Sequence, residues 1–175
     1  MSIKLNKLRA IKENKNALTC FKAYDVRGEL GVNFDASINY KIGRAVAQHL
    51  SAKVIVVGRD ARQSSPELAK ALISGITDSG ANVLDIGLSG TEEMYWAVTE
   101  FKACAGIEVT ASHNPINYNG LKFVKSGSQP LHSETDFQVI KKLAEVSNWK
   151  FKGSVGNVKD ISLLARGAYV QKVLS

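Results

Sequence analysis

The sequence predicts a single domain of the α/β class, built on a mostly parallel sheet. Apolar runs typical of strands alternate along the chain with amphipathic segments typical of helices. Such alternation implies βαβ crossovers, which join parallel strands. The 175 residues have room for one full α/β core, and the hydrophobic fraction of 45% is that of a folded globular protein.

The first third of the chain contains a polar head, a strand, a helix and a second strand. Residues 1–17 are rich in Lys and Asn, and we interpret them as a head outside the core. Leu18–Gly28 mixes β-branched and aromatic residues and ends in glycine, which predicts a strand that runs into a loop. Ser37–Leu50 carries apolar residues at helical spacing. Val54–Val57 is an unbroken β-branched run, typical of a strand buried on both faces.

The middle of the chain continues this alternation. A Ser cap, an early Pro and an acid in Ser64-Ser65-Pro66-Glu67 favour the start of a helix, which we expect to end at Gly80. Asn82–Ile86 is the next predicted strand and Thr91–Phe101 the next predicted helix. Cys104–Val109 then predicts a further strand, because it is short, apolar and ended by a polar turn.

The last third begins with that polar turn, over residues 110–119. Leu121–Val124 is predicted as a short strand and Ser133–Val146 as a helix. Residues 149–175 are at first rich in Lys, Gly, Ser and Asn, which indicates an exit linker. Apolar residues then return at helical spacing in Leu163–Leu174, and we interpret this stretch as the start of a truncated further segment, since its apolar face needs something to pack on.

The net charge of +7 is mostly scattered along the chain. No basic run contains interleaved aromatic residues, and no Cys/His spacing is typical of a zinc finger, so nucleic acid is not an expected partner. An ordinary solvated surface and the attraction of an anionic small molecule both remain open. The densest group of cations is a loose cluster in the head, formed by Lys4, Lys7, Arg9, Lys12 and Lys15.

Cysteine usage and hydropathy favour the cytoplasm. Cys20 and Cys104 lie in apolar surroundings, where buried reduced thiols are expected. The N-terminus lacks a continuous apolar region, and no stretch approaches the roughly 18 apolar residues of a membrane span. We therefore expect a cytoplasmic protein with no membrane partner.

The loop that follows the predicted strand Cys104–Val109 is the best candidate for a functional site. In open α/β sheets, ligands bind at the carboxyl ends of the strands. Ser112 offers a hydroxyl there, and Asn114-Pro115 forces a turn. A serine on such a turn can accept a phosphoryl group, which loop amides, nearby cations and a metal would stabilise. A plain Ser/Asn turn is the alternative interpretation from composition alone.

Three strings in this sequence form distinctive motifs. The most specific is Thr-Ala-Ser-His-Asn-Pro at 110–115, followed by Asn119-Gly120-Leu121-Lys122. The others are Tyr24-Asp25-Val26-Arg27-Gly28 and Val57-Gly58-Arg59-Asp60-x-Arg62. Together they resemble motifs of the α-D-phosphohexomutases, the family of phosphomannomutases and phosphoglucomutases. The resemblance covers residues 19 to about 145 and is to the N-terminal domain I. It implies a mixed, mostly parallel sheet sandwiched between helices, with this domain at 18–148.

The resemblance implies catalytic roles for two residues. Ser112 matches the serine that carries the phosphoryl group, and its phosphate would help to ligate Mg²⁺. Lys122 matches a lysine near the transferring group, where its ammonium would neutralise developing charge or move a proton. A surface lysine on a strand is the competing interpretation for Lys122.

Other matching residues would bind or position the substrate and the loop. His113 and Asn114 match binding or positioning residues beside the phosphoserine. Arg27 matches an arginine that contacts the phosphoserine loop, and Tyr24 matches an aromatic residue beside the same cleft. For Arg59 and Asp60 we expect a charged pair that buttresses the loops.

The functional elements of the family's other domains are not found in this sequence. The family holds its metal on an Asp-Gly-Asp-Gly-Asp-Arg loop of the second domain, and this string does not occur here. The resemblance thus implies part of an enzyme that interconverts hexose 1-phosphate and hexose 6-phosphate through a hexose 1,6-bisphosphate, with an incomplete Mg²⁺ site and no activity alone. The choice between mannose and glucose phosphates stays open. The alternative is a non-catalytic phosphosugar-binding or interaction module. A domain cut from its neighbour should expose an apolar face, through which it could self-associate, whereas an adapted module should expose a polar one.

Overall fold

The computed structural model describes residues 17–150 and 153–175, so most of the predicted head, 1–16, lies outside the described residues. A short 3₁₀ turn (Ser126–Ser128) precedes β6, and a π-helical turn (Ser133–Phe137) leads into α4. The elements in chain order are β1 (Val26–Glu29), α1 (Ala36–His49), β2 (Val54–Arg59), α2 (Ser65–Thr77), β3 (Asn82–Leu88), α3 (Thr91–Glu100), β4 (Ala105–Val109), β5 (Tyr118–Lys125), β6 (Gln129–Pro130), α4 (Gln138–Val146), β7 (Val158–Asp160) and α5 (Ser162–Leu174).

The strands form one mixed sheet in the order β1-β5-β4-β2-β3-β7, with β6 paired to β5. Strands β4, β2, β3 and β7 run parallel to their neighbours in this part of the sheet. β5 is antiparallel to β4, β1 and β6, because the chain returns from β4 through a loop instead of a crossover helix. The predicted fold class is confirmed.

Helices cover both faces of the sheet. Ile55 and Val57 of β2 pack in one core with α1, α2 and α4, whereas Val56 between them packs in a second core with α3 and α5. Successive side chains of a strand point to opposite faces. The unbroken β-branched run of β2 is therefore buried on both sides, as its composition predicts.

The predicted strand Leu18–Gly28 is only partly correct. Regular pairing begins at Val26, and the preceding residues turn back on themselves, with Lys22 N donating to Asp25 O over 2.8 Å. Arg27 N donates to Cys20 O over 2.8 Å. Cys20 and Phe21 are buried nonetheless, so the apolar residues of this segment fill the core from a turn.

The segment after Trp149 contains structure that a linker would not have. β7 adds to the sheet beside β3, with Val83 paired to Val158, and Ala165 of α5 is buried in the second core. The exit-linker interpretation therefore does not describe 158–162. The three residues of β7, Val-Lys-Asp, are too few to show the alternation typical of a strand. They form a strand because they pair with β3. The predicted helix is present as α5, and the domain boundary stays a prediction.

Within the ranges 17–150 and 153–175, no helix combines the length and the apolar character that crossing a membrane requires. Of the two free cysteines, Cys20 is fully buried and Cys104 only half-buried. Burial raises the pKa of the Cys20 thiol to about 11. Cys20 is therefore an inert core thiol, as the sequence predicts.

Candidate functional site

The loop between β4 and β5, residues 110–117, lies at the carboxyl end of β4 and is here called the Ser112 loop. β4 runs parallel to β2, so the loop adjoins the residues that follow β2. Ser112 is exposed and has a φ of 54°, in the left-handed region. Its N–H donates to Thr110 Oγ1 over 2.9 Å. The hydroxyl of Ser112 is thus presented to solvent on a tight, internally hydrogen-bonded turn.

The two residues after Ser112 differ in their roles. Asn114 folds the turn, because its main-chain N–H and its Nδ2 both donate to Ala111 O, over 3.0 and 2.9 Å. His113 has an exposed side chain. Asn114 therefore positions the loop, and His113 is free to meet a ligand.

Arg62 fixes the backbone of the Ser112 loop through hydrogen bonds. Its guanidinium donates to four main-chain carbonyls, and its Nε lies 3.3 Å from Asp60 Oδ2. One guanidinium thus provides the hydrogen bonds that these carbonyl oxygens would otherwise make with water. The four acceptors are Ser112 O (3.0 Å), Asn114 O (2.6 Å), Pro115 O (2.7 Å) and Tyr118 O (3.1 Å).

The predicted charged pair of Arg59 and Asp60 is wrong, since the partner of Asp60 is Arg62. Arg59 is the last residue of β2, and neighbouring residues of a strand point to opposite faces. Arg62 comes after the turn and is brought back over Asp60, which also accepts from Arg62 N over 3.1 Å and from Ser65 Oγ over 2.5 Å. Arg62 belongs to the sequence motif, but no role was predicted for it. The Asp-x-Arg spacing was the signal that could have indicated this pair.

A second set of hydrogen bonds joins the start of β5, just after the Ser112 loop, to the start of α2. Asn119 is fully buried, and its Nδ2 donates to Ser64 Oγ over 2.8 Å and to Ser65 Oγ over 2.9 Å. Because Ser65 also bonds Asp60, the end of β2, the start of β5 and the start of α2 form one hydrogen-bonded unit.

Lys122 and Tyr24 line a different depression from Ser112. Their cavity of about 360 Å³ also includes Asp25, Tyr95 and Ser128. Ser112 and Asn114 line a shallow depression together with Asp60 and Arg62. Two of the predicted site residues, Lys122 and Tyr24, therefore line one hollow, and two others, Ser112 and Asn114, line another.

Arg27 interacts electrostatically with charged residues of both hollows, with Asp25 of one and with Asp60 and Arg62 of the other. Its Nη2 is 3.2 Å from Asp25 Oδ2, and its side chain passes over Gly120, where a Cβ would come within 2.8 Å of Nη1. Burial lowers the pKa of Arg27; Asp25 opposes this effect and Arg62 adds to it. Among the hydrogen bonds of the described residues, none runs from Arg27 to the Ser112 loop, so the predicted contact with that loop is not observed.

Glu108 is a buried acid that sequence reasoning missed. It is only 1% exposed, and Ser89 Oγ donates to its carboxyl over 3.1 to 3.2 Å. Burial raises the pKa of Glu108 to about 8. It lies opposite Lys122 in the pairing of β4 with β5. The available signal was one acid inside the otherwise apolar run of β4, where a charged residue is rarely left without a function.

The described residues do not form a magnesium site by themselves. Mg²⁺ prefers several oxygen ligands in an octahedral arrangement. No group of three or more His, Cys, Asp or Glu side chains that could hold a metal occurs in 17–150 or 153–175. A phosphate on Ser112 would supply oxygen ligands, but the described residues add no cluster of carboxylates to complete the set.

The family profile described as "Phosphoglucomutase/phosphomannomutase, alpha/beta/alpha domain I" matches residues 18–149. The chain is 47% identical over 163 residues to a phosphomannomutase of Vibrio cholerae, which covers 90% of this chain and 35% of that protein. It is 53% identical over 128 residues to a phosphomannomutase of Klebsiella pneumoniae, covering 73% of this chain and 82% of that protein.

The fold is similar to solved structures of the same kind. A phosphoglucomutase/phosphomannomutase family protein from Burkholderia thailandensis aligns with a TM-score of 0.77 at 32% identity, over 88% of this chain and 35% of that one. A protein from Thermus thermophilus described as a phosphomannomutase aligns with a TM-score of 0.71 at 28% identity. The chain thus spans about a third of the length of the first curated relatives that it matches.

Proposed function

Because the chain belongs to the phosphoglucomutase/phosphomannomutase family, of which it carries the α/β/α domain I, we propose that it is the phosphoserine-carrying part of a phosphohexomutase. In this reaction Ser112 Oγ gives its phosphoryl group to the free hydroxyl of a hexose phosphate, and a hexose 1,6-bisphosphate forms. The other phosphoryl group of that intermediate then returns to Ser112 Oγ. The products are hexose 6-phosphate from hexose 1-phosphate, or the reverse.

The observation that carries this proposal is the hold of Arg62 on the exposed Ser112 loop. Phosphoryl transfer depends mainly on positioning and on electrostatic stabilisation. Four hydrogen bonds from one guanidinium restrict the loop, and Arg62 Nη2 lies 3.0 Å from Ser112 O. A fixed positive charge so close to Ser112 favours a phosphate dianion on its hydroxyl.

We assign the cavity around Lys122 to the hexose phosphate. The ammonium of Lys122 would neutralise an anionic substrate or donate a proton during the transfer, and the exposed ring of Tyr24 would cover the sugar. Arg27, which interacts electrostatically with charged residues of both hollows, would attract phosphate to either one. The proposed substrates are mannose and glucose phosphates. The proposed location is the cytoplasm.

The proposal is tested by phosphoryl transfer to the chain itself. The chain is incubated with glucose 1,6-bisphosphate and Mg²⁺, and its intact mass and phosphopeptides are measured. We expect one phosphoryl group on Ser112, none in Ser112→Ala, and an unchanged result in the control Ser126→Ala. Label on another residue, or no label on Ser112, contradicts the assignment.

We also propose that this chain alone does not interconvert hexose 1-phosphate and hexose 6-phosphate. The reason is that Lys122 and Ser112 line separate hollows, and the described residues complete no metal site. A coupled assay with Mg²⁺ and the bisphosphate activator should detect no turnover. Steady turnover that is lost in Ser112→Ala would refute this inactivity.

A stand-alone interaction module, the alternative function, should expose a polar face, whereas a domain that packs on another surface should expose an apolar one, as α5 does. Its large exposed apolar residues are Leu163, Leu164, Val170, Val173 and Leu174. Such a patch favours association with another protein surface, including a second copy of this chain. Light scattering should show a concentration-dependent dimer that Leu164→Glu weakens and that Val155→Glu, a change at an exposed apolar residue before β7, leaves intact. A strict monomer contradicts self-association.

A further inference from the structure

The carboxyl of Glu108 occupies a space that the surrounding strands leave open for it. Gly58 of β2 is paired with Glu108, and a Cβ on Gly58 would collide with Glu108 Oε2 and with Ser89 Oγ. Only glycine at 58 therefore leaves room for this carboxyl. Ser89 follows β3 and donates to both carboxyl oxygens. Glu108 thus lies at the ends of β4, β2 and β3, on the edge that carries the Ser112 loop.

Glu108 and Lys122 share one face of the sheet. They are direct partners in the antiparallel pairing of β4 with β5, which places their Cβ atoms about 4.5–5.5 Å apart. Within the described residues they form no ion pair, since no nitrogen of Lys122 comes within 4.0 Å of a carboxylate oxygen. Lys122 instead lines the cavity with Tyr24. The lysine therefore has an acidic neighbour within reach to which it is not bound.

The other charges near Glu108 are mostly negative. Burial is the main cause that raises the pKa of Glu108 to about 8; the hydrogen bond from Ser89 lowers it, and Asp60, Glu93 and Glu92 raise it further. Tyr95 on α3 also feels the charge of Glu108. Arg166 of α5 forms an ion pair with Glu93, with its Nε 3.0 Å from Glu93 Oε1. Lys122 on β5 is the residue paired with Glu108 across β4 and β5.

We propose that Glu108 is a positioning residue for Lys122: protonated, it leaves the ammonium of Lys122 free for the substrate phosphate, and ionised, it draws that ammonium onto itself. On ionisation the protonated carboxyl of Glu108 gives its proton to solvent, and no bond other than O–H changes. A neutral carboxyl also avoids placing a second negative charge beside a phosphate dianion. The inference rests on the proposed function only for the identity of the ligand as phosphate.

The coupling is measured by NMR on the ¹³C-labelled chain, without any need for turnover. The Cδ signal of Glu108 and the Cε signal of Lys122 are followed through the pH range around 8, with Lys122 assigned by Lys122→Arg. We expect one shared midpoint for the two signals. In Glu108→Gln the Lys122 signal should lose this inflection, and in the control Glu100→Gln, an exposed acid on α3, it should keep it.

The outcomes separate the inference from the proposed function. Different midpoints for the two signals of the wild-type chain overturn the coupling, even if Glu108→Gln does not fold, and an inflection that persists in a folded Glu108→Gln overturns it as well. With inorganic phosphate as probe, the phosphate-induced shift of Lys122 should fall several-fold above the midpoint in the wild-type chain and stay constant in Glu108→Gln; equal losses in both contradict the role of Glu108. Failure of Ser112 to take up phosphoryl groups would instead refute the proposed function and leave the coupling intact.

Discussion

Arg62 Nη2 donates to the main-chain carbonyl of Ser112 over 3.0 Å, and the same guanidinium reaches three more carbonyls of the loop and its exit. Arg62 is itself fixed by Asp60, which is hydrogen-bonded to the start of α2. The conformation of the Ser112 loop therefore depends on a side chain about 50 residues away in the sequence.

We expect Arg62→Lys to slow phosphoryl uptake on Ser112 by about tenfold or more, because a single ammonium cannot reproduce the planar fork that meets four carbonyls. The free energy of unfolding should fall by about 1–3 kcal/mol, since charge-assisted hydrogen bonds are lost. Phosphorylation kinetics and urea titration measure the two effects. Arg59→Lys is the matched control, and an Arg62→Lys variant as fast as this control would contradict the role of Arg62.

The left-handed backbone at Ser112 predicts a difference between two variants that both lack the hydroxyl. Glycine adopts a φ of 54° without the steric cost that alanine meets there. Ser112→Gly should therefore be more stable than Ser112→Ala by about 0.5–1 kcal/mol. Urea titration of the two variants tests this expectation, and the opposite order would show that the loop relaxes out of the left-handed region.

The raised pKa of Glu108 predicts a stability that decreases as the pH rises. In the folded chain the carboxyl of Glu108 keeps its proton up to about pH 8, whereas its ordinary pKa is 4.5. Between these two pH values the folded state therefore binds more protons than the unfolded state. The stabilisation is complete below the ordinary pKa and is lost as the pH rises through the folded one, with a slope of at most about 1.4 kcal/mol per pH unit. Urea titrations across this interval should show the decrease in the wild-type chain and a flatter curve in Glu108→Gln. Parallel curves would contradict the raised pKa.

Asp136 predicts the opposite dependence, at acidic pH. Burial alone would raise the pKa of Asp136, but the hydrogen bonds from His49 Nε2, Lys125 Nζ and His132 N hold it well below its ordinary value. Its stabilisation is present above the ordinary pKa and is lost as the pH falls through the folded one. Asp136→Asn should lower the free energy of unfolding by about 1–3 kcal/mol at neutral pH and by less in acid.

Urea titrations at neutral and acidic pH test this prediction. The matched control is Glu134→Gln, which removes an exposed acid from the same turn before α4. A loss in Asp136→Asn that is the same at both pH values would show that the shape of the side chain, and not its charge, stabilises the fold.

The parts of the protein that depend on local pattern were predictable from the sequence. Helical spacing in Ser37–Leu50 and the β-branched run Val54–Val57 specify their elements with little help from distant residues, because side-chain periodicity decides which faces are buried. Ser112 could be identified because its loop follows a buried strand. The motif around it led to the family that the comparisons confirm.

Only the tertiary structure decided which distant residues meet. The pairing of β7 with β3, the choice of Arg62 over Arg59 as the partner of Asp60, and the separation of Lys122 from Ser112 all depend on contacts between remote segments. Glu108 shows the reason most directly. Its residue type is plain in the sequence, but its environment comes from Gly58, Ser89 and Lys122 on three other parts of the chain, and periodicity along one strand carries no information about the strands beside it.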